Sequence, residues 1–221
     1  MDTSTLVHPL FAEGENLMKI LRTVRIVTWC LIAIVATWLV SGYVMPIRQT
    51  EPEAQRSATP AIGKDFQLTS HRGGTVNNAS LKGKPYLAFF GFTHCPDVCP
   101  TTLFELTDLM TELGPDADRL GVAFITVDPE RDSPELLKAY MTSFDSRIMA
   151  LRGTPEQTQT AVKAFAAYAR KVPTDGDGYT MDHTAGVYLM DADGQFRGTL
   201  DMHEPKEVRL QKIRNLVGAP R

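Results

Sequence analysis

The chain has 221 residues, of which 43% are hydrophobic and 22% are charged, enough for one domain of ordinary size and an additional segment. The formal net charge is −3, and no block of Lys and Arg is long enough to follow a phosphate backbone. Nucleic acid is therefore not expected as a partner.

An uncharged apolar segment lies near the N-terminus, over residues 26–45, "IVTWCLIAIVATWLVSGYVM". About 20 apolar residues match the thickness of a bilayer core when they form a helix. The segment is longer than the apolar region of an ordinary signal peptide, and no small-x-small cleavage site follows it. We therefore expect an uncleaved signal anchor rather than a removed signal peptide.

Basic residues are more frequent before this segment than after it. Lys19, Arg22 and Arg25 precede it, whereas Arg48 is alone close to its other end. The positive-inside tendency then predicts that residues 1–25 form a cytoplasmic tail and that the rest of the chain is exported. This predicts a single-pass protein of the inner membrane with its C-terminal part in the periplasm.

The exported part divides into a linker and a domain. Residues 46–61 are polar and spaced by prolines, which is typical of a tether, and the domain is expected over residues 62–221. Cys95 and Cys99 then lie in an oxidising compartment, where a free dithiol persists only if something maintains it. Cys30 lies within the apolar segment.

The domain alternates between strand and helix patterns, and its two central strands are continuous apolar runs of the kind found in buried sheets. The order of hairpin, βαβαβ, helix, hairpin and helix is typical of a thioredoxin-like α/β fold. In chain order we predict a hairpin over 65–80 with its turn at Gly73 and Gly74, a strand over 86–92, a helix over 102–113 with a capping box of Thr102 and Glu105, a strand over 120–128, a helix starting at Pro134, a strand over 147–151, a helix over 154–171, a hairpin over 187–200 and a helix over 204–218.

The segment "GFTHCPDVCP" places Cys95 and Cys99 between a buried strand and a helix. The pair can be a structural disulfide, a redox-active dithiol or half of a metal site. A disulfide closing so short a loop stabilises only weakly. Pro100 favours an extended conformation at Cys99, and the nearby helix start favours the thiolate form of the cysteines.

A third ligand is available at the same edge of the predicted sheet. His183 lies just before the strand "VYLMD", which runs antiparallel to "YLAFFGF" in a thioredoxin-like sheet. Two thiolates and one imidazole suit Cu(I) in trigonal geometry and can also hold Cu(II) with an added oxygen ligand. A closed structural zinc site needs a fourth strong ligand, and none is evident.

Three further residues are candidates for the surroundings of this site. Met181 is a packing residue or an axial thioether ligand. Asp182 is placed to hold the loop or the imidazole tautomer of His183. Asp128 follows the second central strand and either orients the sheet edge or caps the next turn.

Three segments of the chain together resemble the Sco/SenC family: "GFTHCPDVCPTTL", "TVDPERDSPE" and "YTMDHTAGVYLMDADG". The resemblance covers the domain from about Ile62 onward. It implies a membrane-anchored, thioredoxin-like copper protein tied to assembly of the CuA centre of cytochrome c oxidase, with Cys95, Cys99 and His183 as copper ligands.

We therefore predict a copper metallochaperone, rather than an enzyme, whose partner is the oxidase subunit that carries the CuA site. An upstream copper donor and a thiol reductant are further expected partners. The alternative is a thiol–disulfide reductase that keeps the cysteines of the oxidase copper site reduced through the Cys95–Cys99 pair. A peroxidase of the peroxiredoxin type shares the fold and would turn over peroxide at one of these cysteines.

Overall fold

The structure is a computed structural model that describes residues 21–39, 62–176 and 178–218. By its internal contacts the chain divides into two compact units, Met1–Thr59 and Pro60–Arg221.

In the first unit the described residues form helix α1, Leu21–Leu39. It is long and apolar enough to cross a membrane, and it is the only such helix in the described part of the chain. A signal sequence near the N-terminus can meet the same criteria of length and composition, so these two properties alone do not identify a membrane anchor. The predicted linker over 46–61, residues 1–20 of the predicted tail and residues 40–45 of the predicted anchor lie outside the described residues.

The second unit consists of strands and helices that alternate along the chain. Its strands are β1 Gln67–Ser70, β2 Thr75–Asn77, β3 Tyr86–Gly91, β4 Gly121–Thr126, β5 Ile148–Arg152, β6 Ala169–Pro173, β7 Tyr179–His183, β8 Val187–Met190 and β9 Phe196–Leu200. Its helices are α2 Asn78–Leu81, α3 Val98–Leu113, α4 Pro134–Met141, α5 Pro155–Ala164 and α6 Lys206–Gly218, with a 3-10 helix at Gly114–Arg119.

Seven of the strands form one sheet in the order β2-β1-β5-β4-β3-β8-β9. β3, β4 and β5 are parallel to one another, and β8 is antiparallel to β3. All six residues of β3 are buried, as expected for a strand covered on both faces. The architecture is thioredoxin-like, which confirms the predicted fold class.

Helix α3 begins at Val98, four residues earlier than predicted. The predicted capping box is wrong, because Thr102 is buried within the helix and Glu105 pairs with Arg209. The residue at the N-cap is Asp97, which makes no side-chain capping bond. Pro100 is accommodated because the first turn of a helix has no intrahelical amide bond to lose.

The helix predicted over 154–171 ends at Ala164. Ala166 has a positive φ of 49°, in the left-handed region that cannot continue a helix. The following residues form β6, which pairs only with β7 in a separate two-stranded sheet. Neither of these strands was predicted from the sequence.

Candidate metal centre

The two cysteines of the candidate site lie where β3 passes into α3. Cys95 is in the loop before the helix and half-buried, whereas Cys99 is in the first helical turn and fully buried. The expectation that Pro100 keeps Cys99 extended is wrong, since Cys99 is helical. Both residues are free thiols.

His183 is brought to these thiols by the pairing of β3 with β8. The register joins Phe89 to Val187, so the chain entering β8 meets the chain leaving β3 at the same sheet edge. His183 is the last residue of β7, rather than a loop residue as expected. Its ring lies edge-on to Phe92, with the two ring centroids 5.7 Å apart, and also contacts the ring of Phe89.

Cys95, Cys99 and His183 form the one group of potential metal ligands found among the described residues, with ligand atoms all within 4.8 Å of one another. The Sγ of Cys99 and the Nε2 of His183 are 3.5 Å apart. Zinc sites have bonds of about 2.3 Å to sulfur and 2.0 Å to nitrogen, so three such ligands around one ion lie roughly 3.7 to 4 Å apart. Small side-chain rotations therefore suffice to hold a soft metal ion.

Hydrogen bonds orient two of the three ligand atoms. The Nδ1 of His183 lies 3.0 Å from the carbonyl oxygen of Thr184. A carbonyl only accepts, so Nδ1 carries the hydrogen and Nε2 presents its lone pair toward the thiols. The backbone N–H of Cys99, one of the free amides of the first turn, donates to the Sγ of Cys95 at 3.3 Å. Both contacts favour ligation by the atoms that face the site.

Burial shifts the pKa values of two members of this cluster, Cys99 and His183. Burial raises the pKa of the Cys99 thiol, and its hydrogen bond with Cys95 raises it further. At Cys99, burial thus outweighs the helix start that was expected to favour the thiolate. Burial also lowers the pKa of His183, which keeps the imidazole neutral at physiological pH. A metal ion binding here must displace the proton of Cys99 but not one from His183.

A buried carboxylate that the sequence analysis did not single out fixes the cysteine loop. Asp132 is fully buried and accepts hydrogen bonds from the Thr93 amide at 3.2 Å, the Thr93 hydroxyl at 2.6 Å and the Thr126 hydroxyl. The available signal was the acidic cluster of Asp128, Glu130 and Asp132 in the loop that follows a buried strand.

Asp128 lies in the same β4–α4 loop as Asp132 and contacts the hairpin that carries His183. Asp128 is buried, and its carboxylate accepts a hydrogen bond from the Tyr179 hydroxyl at 2.9 Å and pairs with Arg131. Burial, followed by this hydrogen bond, raises the pKa of Tyr179 to about 12, so the hydroxyl remains a donor. Arg131 and Tyr179 were not identified from the sequence, because only the folded chain brings them together.

Met181 and Asp182 occupy opposite sides of β7. Met181 is half-buried against the core and lines a cavity of about 300 Å³ that also borders Asp128. Asp182 is exposed, and its carboxylate lies 3.9 Å from the guanidinium of Arg170. The Nδ1 of His183 has the Thr184 carbonyl as its partner, not the carboxylate of Asp182.

A thioredoxin-like domain with two thiols and one imidazole at its sheet edge belongs to the class of domains that bind a soft metal or exchange thiols. The model of the SCO1/SenC family matches residues 54–218, and this chain belongs to that family.

Three comparisons illustrate the relationship. The chain is 37% identical over 179 residues to the mitochondrial protein SCO2 of Saccharomyces cerevisiae, covering 77% of this chain but only 59% of the yeast protein. It resembles the copper-bound structure of ScoI from Bradyrhizobium japonicum with 47% identity and a TM-score of 0.67, covering 71% of this chain and 99% of ScoI. It shares the fold of BsSco, a member of the Sco family of cytochrome c oxidase assembly proteins, with 24% identity and a TM-score of 0.58 over 72% of this chain and 95% of BsSco.

Proposed function

We propose that this chain is a copper chaperone that binds one copper ion through Cys95, Cys99 and His183 and delivers it to the CuA centre of cytochrome c oxidase. The observation that carries the proposal is the convergence of these three ligand atoms within 4.8 Å. The copper-bound ScoI structure, from a relative that this chain covers almost completely, supports copper as the metal.

The ligand set suits a metal that is carried and then released. Two thiolates and one imidazole match the preference of Cu(I) for soft ligands and low coordination numbers, and an added oxygen ligand adapts the site to Cu(II). Cys95 and His183 are half-buried rather than enclosed. An incoming ligand from the oxidase subunit can therefore reach the ion and exchange with one of the three.

We further propose that α1 is an uncleaved anchor in the inner membrane, with residues 1–25 in the cytoplasm and the domain in the periplasm. Its length and apolar composition support this placement, as does the excess of Lys and Arg before it. Residues 46–61 then tether the domain near its membrane-embedded client. An upstream copper donor loads the site, and a thiol reductant keeps the two cysteines reduced in the oxidising compartment.

Copper titration of the full chain in detergent micelles tests the ligand set. We expect tight one-to-one binding in the parent chain and loss of tight binding in Cys95→Ser, Cys99→Ser and His183→Ala. Cys30→Ser is the matched control, because this third cysteine is in helix α1. Equal binding by the parent and all three site variants would refute the site.

The reductase alternative is favoured by one observation, the two free thiols joined by the Cys99 N–H to Cys95 Sγ hydrogen bond. Reduction of a client disulfide would convert this pair into a disulfide, and an external reductant would have to restore it. His183→Ala separates the two functions, since it removes a copper ligand and leaves both thiols. Normal oxidase assembly in cells that carry His183→Ala would favour the reductase.

A further inference from the structure

The hairpin that carries His183 stands outside the central sheet. Its strands β6 and β7 pair with each other and with no strand of the seven-stranded sheet. An isolated two-stranded hairpin is only marginally stable in water. The position of His183 therefore depends on the side-chain contacts that hold this hairpin against the rest of the domain.

Tyr179, at the other end of β7 from His183, makes three of these contacts. Its hydroxyl donates to the Oδ1 of Asp128 at 2.9 Å, and its carbonyl oxygen accepts from the Nη1 of Arg131 at 2.8 Å. Its ring lies beneath the guanidinium of Arg131, which is 3.8 Å from the ring centroid. Asp128 is itself paired with Arg131, so the three side chains form one closed group.

The same group reaches His183 through an aromatic ring. The guanidinium of Arg131 also lies over the ring of Phe92, 5.7 Å from its centroid. Phe92 in turn packs edge-on against the imidazole of His183, with an interplanar angle of 89°. A continuous series of contacts thus runs from Tyr179 to the ring that carries the candidate ligand atom.

Strand periodicity places Tyr179 and His183 on the same face of β7. Residues at i, i+2 and i+4 of a strand share one face, and the exposed Asp182 lies on the other. A change in the tilt of the strand at Tyr179 therefore moves His183 toward or away from the thiols.

We propose that Tyr179 is a positioning residue for the copper ligand His183, acting through Asp128 and Arg131. The proposal rests on the proposed copper binding and adds a determinant of its affinity. Tyr179 touches no candidate ligand atom. It holds β7 at the tilt that keeps the Nε2 of His183 close to the Cys99 sulfur.

The variant Tyr179→Phe tests this, because it removes the hydroxyl and keeps the ring beneath Arg131. Copper affinity of the full chain in detergent is measured by competition with a chromophoric chelator. Loss of groups that orient metal-ligating histidines lowers metal affinity about 10- to 100-fold, and we expect a decrease of about 10-fold here. Tyr168→Phe is the matched control, since Tyr168 directly precedes β6 and is half-exposed, and the change leaves its backbone hydrogen bonds to Thr184 in place. It should bind copper as the parent does.

A spectroscopic readout separates positioning from a general loss of stability. Electron paramagnetic resonance of the Cu(II)-loaded chain reports nitrogen coordination, and its nitrogen coupling should weaken in Tyr179→Phe but not in Tyr168→Phe. Arg131→Lys is a second test of the same group. Lysine keeps the charge but lacks the planar guanidinium, which stacks on the Tyr179 ring and donates a hydrogen bond to the Tyr179 carbonyl. The variant should weaken the same signal.

Two outcomes would overturn the proposal: parent-like affinity in Tyr179→Phe, or weakened affinity with an unchanged nitrogen signal. If the parent itself binds no copper, the proposed function fails, and amide hydrogen exchange of the metal-free protein then decides the positioning role. Faster exchange in β7 but not in β3 of Tyr179→Phe supports it, and equal exchange overturns it.

Discussion

Cys99 is fully buried at the start of α3, and burial raises the pKa of its thiol. Burial acts on His183 in the opposite sense and lowers the pKa of its imidazole. At physiological pH one ligand therefore carries a proton that a metal must displace, while the other already presents a free lone pair.

Copper binding should release the Cys99 proton. Since the pKa of Cys99 is raised, its thiol stays protonated from about pH 6.5 to 8. For each proton that copper displaces, the apparent copper affinity should rise by up to about tenfold per pH unit. Protons do not compete with copper for His183 in this pH range, because burial lowers the pKa of its imidazole. Calorimetric titration in two buffers of different ionisation enthalpy counts the released protons. Cys30→Ser should release the same number, and a count of zero in the parent would contradict a protonated Cys99.

Gly91 lies against the sulfur of Cys99, which occupies the space that a side chain at position 91 would need. A Cβ at this position would lie 2.7 Å from the ring of Phe124 and 3.0 Å from the Sγ of Cys99. Gly91→Ala should therefore lower the free energy of unfolding by about 1–3 kcal/mol and weaken copper binding, because overpacking displaces the sulfur. Denaturant unfolding and copper titration measure the two effects. Gly186→Ala is the control, since its added Cβ meets nothing within 4 Å; equal behaviour of the two variants would disprove the role of Gly91.

At the scale of elements, the loop between β4 and α4 connects the two halves of the site. Asp132 holds Thr93 in the cysteine loop, and Asp128 holds Tyr179 in the histidine hairpin. The two acidic residues are themselves linked, because the amide of Asp132 donates to the carbonyl of Asp128 at 3.0 Å. One short segment thus contacts both the loop that carries the thiols and the hairpin that carries the imidazole.

Thr93→Val tests the cysteine side of this loop. The change keeps the side-chain shape and removes a hydroxyl that donates to the buried carboxylate of Asp132, which should lower the free energy of unfolding by about 1–3 kcal/mol. Guanidinium denaturation of the full chain in detergent measures the change. The control is Thr111→Val, where an exposed hydroxyl bonds only within its own helix and the expected change is within about 0.5 kcal/mol. A similar cost in both variants would show that Asp132 does not depend on Thr93.

The sequence predicted the elements with a clear hydrophobic pattern and missed those without one. The apolar runs predicted β3 and β4, and residues on one face of α3, such as Leu106 and Met110, are buried as expected. β6 and β7, by contrast, read "ARKVP" and "YTMDH" and bury few side chains. Their pairing comes from backbone hydrogen bonds and from contacts distant in sequence.

The same distinction applies to the site. Cysteine and histidine are common metal ligands, so Cys95, Cys99 and His183 could be proposed as ligands from the sequence alone. Arg131 and Tyr179 are common residue types whose 48-residue separation along the chain is bridged only in the fold. Their role follows from stacking and hydrogen bonds that no local pattern encodes.

For the molecule as a whole, a ligand that binds only the folded state stabilises it by mass action. The three candidate ligands come from the loop after β3, the start of α3 and the end of β7, segments up to 88 residues apart that meet only in the fold. An unfolded chain also has two thiols four residues apart, so copper bound by the thiols alone stabilises the folded state little. Copper bound by all three ligands stabilises the folded domain more, because only the fold brings His183 to the thiols.

Copper should consequently raise the unfolding temperature of the parent chain. At free copper 100 times above the dissociation constant, the expected stabilisation is about 2.7 kcal/mol, less whatever copper binds to the unfolded thiols. For a chain of this size that corresponds to roughly 5–10 °C.

Differential scanning calorimetry at chelator-buffered copper concentrations measures this shift in the parent, in His183→Ala and in the exposed control His203→Ala. The control should shift as the parent does. His183→Ala should shift far less, because it retains only the thiol pair, which binds copper in the unfolded chain nearly as well as in the folded one. A full shift in His183→Ala would mean that the two thiols alone hold the metal in the folded state, and the three-ligand site would be wrong.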